Sequence, residues 1–313
     1  SDDPGLAIII AGPDHLNVLG PEANQVCLDL RMLGFSEEQI WYANPDRLQD
    51  VDQDGTYGND VDGGTHPREI GVAFEWAAHN VSQGNHPVFV FWLGHGGSSY
   101  GQGAYRILVW KGRDSEAYLS APEMAGLLDR VFDARPPMGQ SPTVVAFESC
   151  QSGPAIADLE KPGARRVIIT PVGRQDDPAL LLAWNGYVVH DMFLLTLLEY
   201  AKFGLTISEA CDKADDVRLR TFICWLHVLK NVLLQQTDAD GWFPLISDKD
   251  GVAQGILIGH PPGIPDWPPV ITASEPVTLP PGQTLATVVA TASDDHGIAD
   301  VTALCVPPGF VAA

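Results

Sequence analysis

The chain has 313 residues, at about 150 per domain enough for one large domain or one with a partial second, and enough to bury a sizeable core. Its 45% hydrophobic and 19% charged content excludes general disorder, and no apolar run reaches the about 18 to 20 residues of a transmembrane helix. Forty acidic against 18 basic residues leave a net charge of −22, which argues against binding nucleic acid or an anionic membrane surface.

Short apolar runs bounded by Gly, Pro and Asp alternate with longer helical patterns, the signature of an α/β domain with a mainly parallel sheet. The first run, Leu6–Ala11, is followed by helical spacing over 21–33 and a second run at 39–43. Helical spacing over 69–81 precedes the third run, Val88–Leu93. The strand-like segment 106–110 follows a Gly-rich stretch at 94–103 directly and predicts a hairpin beside the main sheet. Residues 122–132 are helical in pattern, with runs four and five at 144–147 and 167–170. Crossover helices between these runs predict a three-layer sandwich. Beyond the fifth run, 190–203 and 206–236 are helical, Thr206 and Glu209 forming a capping-box pattern, and these helices are expected to cover one end of the sheet.

From Pro261 the composition changes. The pairs Pro261-Pro262, Pro268-Pro269 and Pro280-Pro281 mark a linker that enters no central strand or helix. Past it, 284–291 and 301–306 flank the turn Asp294-Asp295-His296-Gly297 and resemble the opening strands of an immunoglobulin-like module, too short here to complete one. The division is a domain over 1–260 and a Pro-rich linker with a β segment over 261–313. The Ser1-Asp2-Asp3 start lacks the basic and apolar regions of a signal peptide, so any such peptide is expected to have been removed or never present. The five cysteines are odd in number, and Cys27, Cys211 and Cys224 sit in helical patterns, reading as buried thiols rather than a disulfide framework.

In an open parallel sheet ligands bind beyond the carboxyl ends of the strands, so reactive residues just past the apolar runs come first. Val88–Leu93 runs into Gly94-His95-Gly96-Gly97, and the fourth run continues into Glu148-Ser149-Cys150-Gln151-Ser152-Gly153. A His and a Cys thus leave two strands. An imidazole beside a thiol takes its proton, and the thiolate is the nucleophile. The flanking glycines admit a substrate backbone, and the N–H groups of Gly96 and Cys150 are candidates to face a developing oxyanion.

The paired motifs, with His95 standing 55 residues before Cys150, resemble the signature of the caspase-legumain superfamily of cysteine peptidases, and most closely its legumain-like branch, whose Cys motif reads Glu-Ala-Cys-x-Ser-Gly. The likeness runs from about Ala7 to Gly251 and includes Gly34-Phe35-Ser36-Glu37-Glu38-Gln39-Ile40 and the run Asn59-Asp60-Val61. It implies a caspase-like fold, Cys150 as nucleophile, His95 as general acid and base, and Asn17 as the residue that orients the His, with an ordinary helix-capping role for Asn17 equally open. It also implies that Glu148 lines the primary specificity pocket, with a structural ion pair for this Glu equally open; Asp176, Asp177 and Asp191 are candidate neighbours in that pocket. Legumains carry an Arg two residues beyond the orienting Asn; Leu19 stands there, leaving only Arg174 as a candidate cation. A pocket walled by acids repels an acidic side chain, so cleavage is expected after Asn or a basic residue rather than after Asp. Related peptidases are made as zymogens, which makes the Pro-rich tether a candidate for self-cleavage.

Two rival readings follow from the same residues. Gly97-Ser98-Ser99-Tyr100-Gly101 matches G-x-S-x-G and offers Ser99 as a serine-hydrolase nucleophile, although a nucleophile elbow needs a strand before it and a helix after it. A surface binding module on a degenerate peptidase scaffold is the non-enzymatic alternative. No cofactor is required. Calcium is raised by the Asp-x-Asp-Gly turns at Asp52-Gln53-Asp54-Gly55, Asp238-Ala239-Asp240-Gly241 and Asp248-Lys249-Asp250-Gly251, none of which completes a twelve-residue calcium loop, so that solvated turns account for them too. No spacing suggests zinc or a nucleotide. The expected partner is a peptide or protein substrate, and the acidic composition with the module-like tail points to a secreted or cell-surface location.

Overall fold

A computed structural model describes residues 3–13, 19–52, 54–97, 104–136, 141–171, 182–184, 187–189, 193–214, 245–259, 270–272 and 291–293. Six strands form the main sheet in the order β11-β8-β7-β3-β1-β2. These are β1 (Leu6–Ala11), β2 (Ile40–Ala43), β3 (Val88–Leu93), β7 (Thr143–Glu148), β8 (Arg166–Thr170) and β11 (Leu245–Asp248). The first five are mutually parallel and coincide with the five apolar runs to within a residue or two. β11 pairs antiparallel with β8 at the edge. Its sequence, Leu-Ile-Ser-Asp, holds only two apolar residues and falls below the pattern threshold that reveals the others.

Both faces of the central strands are buried, and successive residues serve opposite cores. In β1, Ala7, Ile9 and Ala11 join the cluster of α1 (Leu19–Met32) and α5 (Phe193–Lys202), while Leu6, Ile8 and Ile10 join that of α2 (Pro67–Gln83) and α3 (Ala121–Asp133). Phe89, Phe91 and Leu93 of β3 face the first cluster; Val88, Val90 and Trp92 face the second. Burying six fully enclosed strand residues on β3 alone contributes on the order of 10 kcal/mol of gross hydrophobic stabilisation. α5 therefore covers a face of the sheet, beside α1, and not its end. The difference arises because Phe193, Leu194, Leu197, Leu198 and Ala201 form a continuous apolar stripe that only a sheet face can bury.

Local signals set the helix starts. Ser120 and Glu123 form a capping box at α3, the Ser120 N–H donating to the Glu123 carboxylate at 2.8 Å. The Thr206 N–H donates to Glu209 at 2.9 Å where residues 207–214 begin their helix; the helical pattern over 215–236 lies outside the described residues. α2 starts at Pro67, two residues earlier than the apolar spacing indicates, because His66 caps it through Nδ1, which accepts from the Arg68 N–H at 3.3 Å.

The segment expected as a hairpin is a three-stranded antiparallel sheet of β4 (Gly96–Gly97), β5 (Arg106–Lys111) and β6 (Glu116–Ser120). β9 (Leu182–Trp184) and β10 (Tyr187–Val189) form a separate antiparallel pair. In the tail, β12 (Val270–Thr272) pairs antiparallel with β13 (Thr291–Ser293), so a strand occurs inside the Pro-rich stretch, between Pro269 and Pro276. The expected β segments over 284–290 and 301–306 lie outside the described residues. No helix among the described residues is long and apolar enough to cross a membrane.

Candidate active site

The strand order reverses direction between β1 and β3, since β1 leads to β2 on one side while β3, β7 and β8 follow on the other. Loops at the carboxyl ends of strands around such a switch point form the natural crevice of this sheet type. His95 leaves β3 there, and Cys150 leaves the adjacent strand β7.

The register fixes their relation. Leu93 and Glu148, the last residues of β3 and β7, are direct partners, and the Gly94 N–H donates to the Glu148 carbonyl at 3.1 Å, one step past the strand. His95 and Cys150 each stand two residues beyond that last pair, on one edge of the sheet. Both are half-buried. The His95 carbonyl accepts from the Leu108 N–H at 2.8 Å, and Gly96 and Gly97 pair with Ile107 and Arg106. The loop bearing the His is thereby stitched to β5. Gly94 is closely enclosed: a methyl group there would come to 3.0 Å from the Ile107 side chain and 3.2 Å from the Leu108 carbonyl.

Past the cysteine the backbone turns sharply. Gln151 adopts φ 53°, a left-handed conformation that costs a non-glycine residue about 1 kcal/mol and that recurs where a reactive side chain has to be aimed. The Ser152 carbonyl then accepts from the Ala155 N–H at 2.9 Å as α4 (Ala155–Leu159) begins.

Glu148 is wholly buried, and its Oε2 accepts from the Leu194 N–H at 2.8 Å. The carboxylate thus lies against the first turn of α5, where unpaired N–H groups and the helix dipole favour a negative charge. Leu19 is the first residue of α1 and is buried in the α1/α5 cluster, an apolar core residue where the legumain resemblance leads one to expect an Arg. Asn17, Ser99, Arg174, Asp176, Asp177 and Asp191 lie outside the described residues. The first element described after the G-x-S-x-G motif is a strand, β5, and not the helix that a nucleophile elbow requires.

The chain matches no known family model and no curated protein. The chemistry of the site therefore rests on its own residues. Cys27 provides the internal contrast: its burial pushes the thiol up to about 11, against the lowering effect of the nearby Arg31. Cys211 is likewise buried. Cys224 lies outside the described residues.

One contact at the site had no signal in the sequence. Tyr105, the residue before β5, hydrogen-bonds through its hydroxyl to Ser149 Oγ, immediately before Cys150. A lone tyrosine at a strand entrance carries no pattern that distinguishes it from core.

Asp248 and Asp250, two of the calcium candidates, have their carboxylates engaged by main-chain donors. Asp248 Oδ2 accepts from the Ala253 N–H at 2.7 Å, and Asp250 accepts from Gly163 at 2.9 Å and Arg165 at 2.6 Å. Asp238 and Asp240 lie outside the described residues. Among the described residues, Asp50, Asp52 and Asp54 are the acidic group whose ligand atoms all lie within 4.8 Å of one another. Asp50 stands two residues before the Asp52-Gln53-Asp54-Gly55 turn and extends its alternation of acidic residues at the start. Each carboxylate already accepts a main-chain N–H of its own loop, from Gly55, Asp54 and Thr56 respectively. Val61 stands where a twelve-residue calcium loop places its bidentate Glu.

Proposed function

We propose that the chain is a cysteine endopeptidase of legumain-like type, built on a three-layer, caspase-like sandwich in which α1 and α5 back one face of the sheet and α2 and α3 the other. The observation that carries this reading is the register of β3 and β7, which delivers one imidazole and one half-buried thiol to the same edge at equal distance from the last paired residues. His95 takes the Cys150 proton; the thiolate adds to the scissile carbonyl, and the oxyanion is met by the N–H groups of Gly96 and Cys150. Collapse of the tetrahedral intermediate breaks the C–N bond, His95 returns the proton to the departing amine, and a thioester remains. Water, deprotonated by His95, then releases the carboxylic acid and the free thiol. The legumain resemblance implies Asn or a basic residue before the scissile bond and disfavours Asp, with Glu148, whose carboxylate is buried against the Leu194 N–H, as the acid behind the pocket rather than exposed in it.

Incubation of the purified chain with a proteome-derived peptide library, followed by mass spectrometry of the products, tests both parts. Cys150→Ala and His95→Ala should each lower cleavage by at least about a thousand-fold while leaving the circular dichroism spectrum unchanged. Undiminished cleavage in the Cys150 variant overturns the reading, and a product set dominated by cleavage after Asp overturns the assignment of the pocket.

A further inference from the structure

The two loops that bear His95 and Cys150 meet at a residue the mechanism above does not use. Tyr105 is buried, with 1% of its surface exposed. Its hydroxyl hydrogen-bonds to Ser149 Oγ, and Ser149, itself buried, is the residue before Cys150. On its other side the phenol lies against the α-carbon of Gly96, the residue after His95: a methyl group at Gly96 would overlap the hydroxyl and sit 2.8 Å from ring atoms Cε2 and Cζ. The ring meets Phe147 of β7 edge-on with centroids 5.9 Å apart, and the Tyr105 carbonyl accepts from the Ala121 N–H at 2.9 Å where α3 begins. The ring is thereby packed against Phe147 of β7, and its backbone is tied to the start of α3.

A phenylalanine would fill this volume equally well, so packing does not explain the hydroxyl. What the hydroxyl adds is one directional bond, made to the residue that precedes the candidate nucleophile. Taking Cys150 and His95 as the dyad proposed above, we infer that Tyr105 is a positioning residue that sets the separation of thiol and imidazole, holding Ser149 by its hydroxyl while its ring limits the approach of Gly96. Burial pushes the phenol far above its usual ionisation range, which the bond from Ser149 only partly offsets, so the group stays a neutral hydroxyl at physiological pH. A thiolate at Cys150 would raise it further.

Tyr105→Phe, Ser149→Ala and the double variant, made in the full chain, test the inference through the rate at which iodoacetamide alkylates Cys150, followed by mass spectrometry. This readout needs no peptide turnover. Each single variant should alkylate about ten-fold more slowly than the wild type, and the double no more slowly than the slower single, because all three lose the same bond. In peptide hydrolysis the same variants should lose about ten-fold in kcat with KM within about two-fold of wild type, a split that general loosening of the fold would not give. Wild-type alkylation rates in both single variants, or losses that add in the double, overturn the positioning role. Should Tyr105→Phe fail to fold, Ser149→Ala removes the same bond with the ring in place and decides alone. A wild-type chain that alkylates readily at Cys150 but cleaves no peptide overturns the peptidase reading, and the alkylation comparison still decides the role of Tyr105.

Discussion

Cys27 and Cys150 carry the same side chain in opposite surroundings. Cys27 sits on the buried face of α1 among Ala23, Val26 and Leu30, and its thiol, pushed up to about 11, is ionised in only about one molecule in a thousand at pH 8. Cys150 stands two residues past the end of β7, at the same sheet edge as the glycine-bordered His95 and before Gln151, which adopts a left-handed conformation. Because alkylation proceeds through the thiolate, brief treatment of the native chain with iodoacetamide at pH 8 should label Cys150 and leave Cys27 unmodified, whereas the same treatment in denaturant labels both. Peptide mapping checks this. Labelling of native Cys27 at a rate comparable to Cys150 would show that α1 opens far more readily than its burial implies.

Besides the apolar stripe of α5, a buried carboxylate joins the sheet to this helix. Glu148 closes β7 and accepts from the second residue of α5, so removing its oxygens leaves the Leu194 N–H buried without that partner. Glu148→Ala should destabilise the chain by about 1–3 kcal/mol in urea denaturation, and Glu148→Gln, which keeps an acceptor oxygen, by clearly less. Equal losses in the two variants would mean that charge, not the hydrogen bond, docks the helix. This junction also marks where sequence reasoning stops. The five parallel strands were legible because each contains an uninterrupted apolar run of three to six residues, and the strand-end positions of His95 and Cys150 followed from them. β11 was not legible, since an edge strand with one protected face needs few apolar residues. The destination of Glu148 was not legible either: Leu194 lies 46 residues away, and only the packed fold brings that N–H to the carboxylate. The bond from Tyr105 to Ser149 spans 44 residues and was hidden for the same reason.

For the whole molecule, charge acts in two opposed directions. Forty acidic against 18 basic residues give a pI near 4.5, so at pH 7 the folded chain repels itself, and both lower pH and added salt relieve that repulsion. Against this stand carboxylates held in the charged form by specific partners. Burial pushes Asp129 up, but the hydrogen bonds and charges of Lys161 and Arg166 prevail and hold it below the usual aspartate range; Glu123 is held low mainly by the Ser120 N–H. A carboxylate whose folded value lies below its unfolded one stabilises the fold fully above the ordinary range, and that contribution is lost as the pH falls through the depressed value. Moving from pH 7 towards 5 should therefore raise the melting temperature, and moving below about pH 4 should lower it. Salt separates the two effects, because a Debye length shortened from roughly 14 to 4 Å screens distant surface repulsion much more than contacts at 3 Å. Raising NaCl from about 0.05 to about 0.5 M should increase the melting temperature by about 2–5 °C at pH 7 and change it little at pH 4.5, where the net charge is near zero. Differential scanning calorimetry at the two pH values measures both, and a melting temperature at pH 7 that is indifferent to salt would show that the acidic groups are spaced or paired well enough to cancel their mutual repulsion.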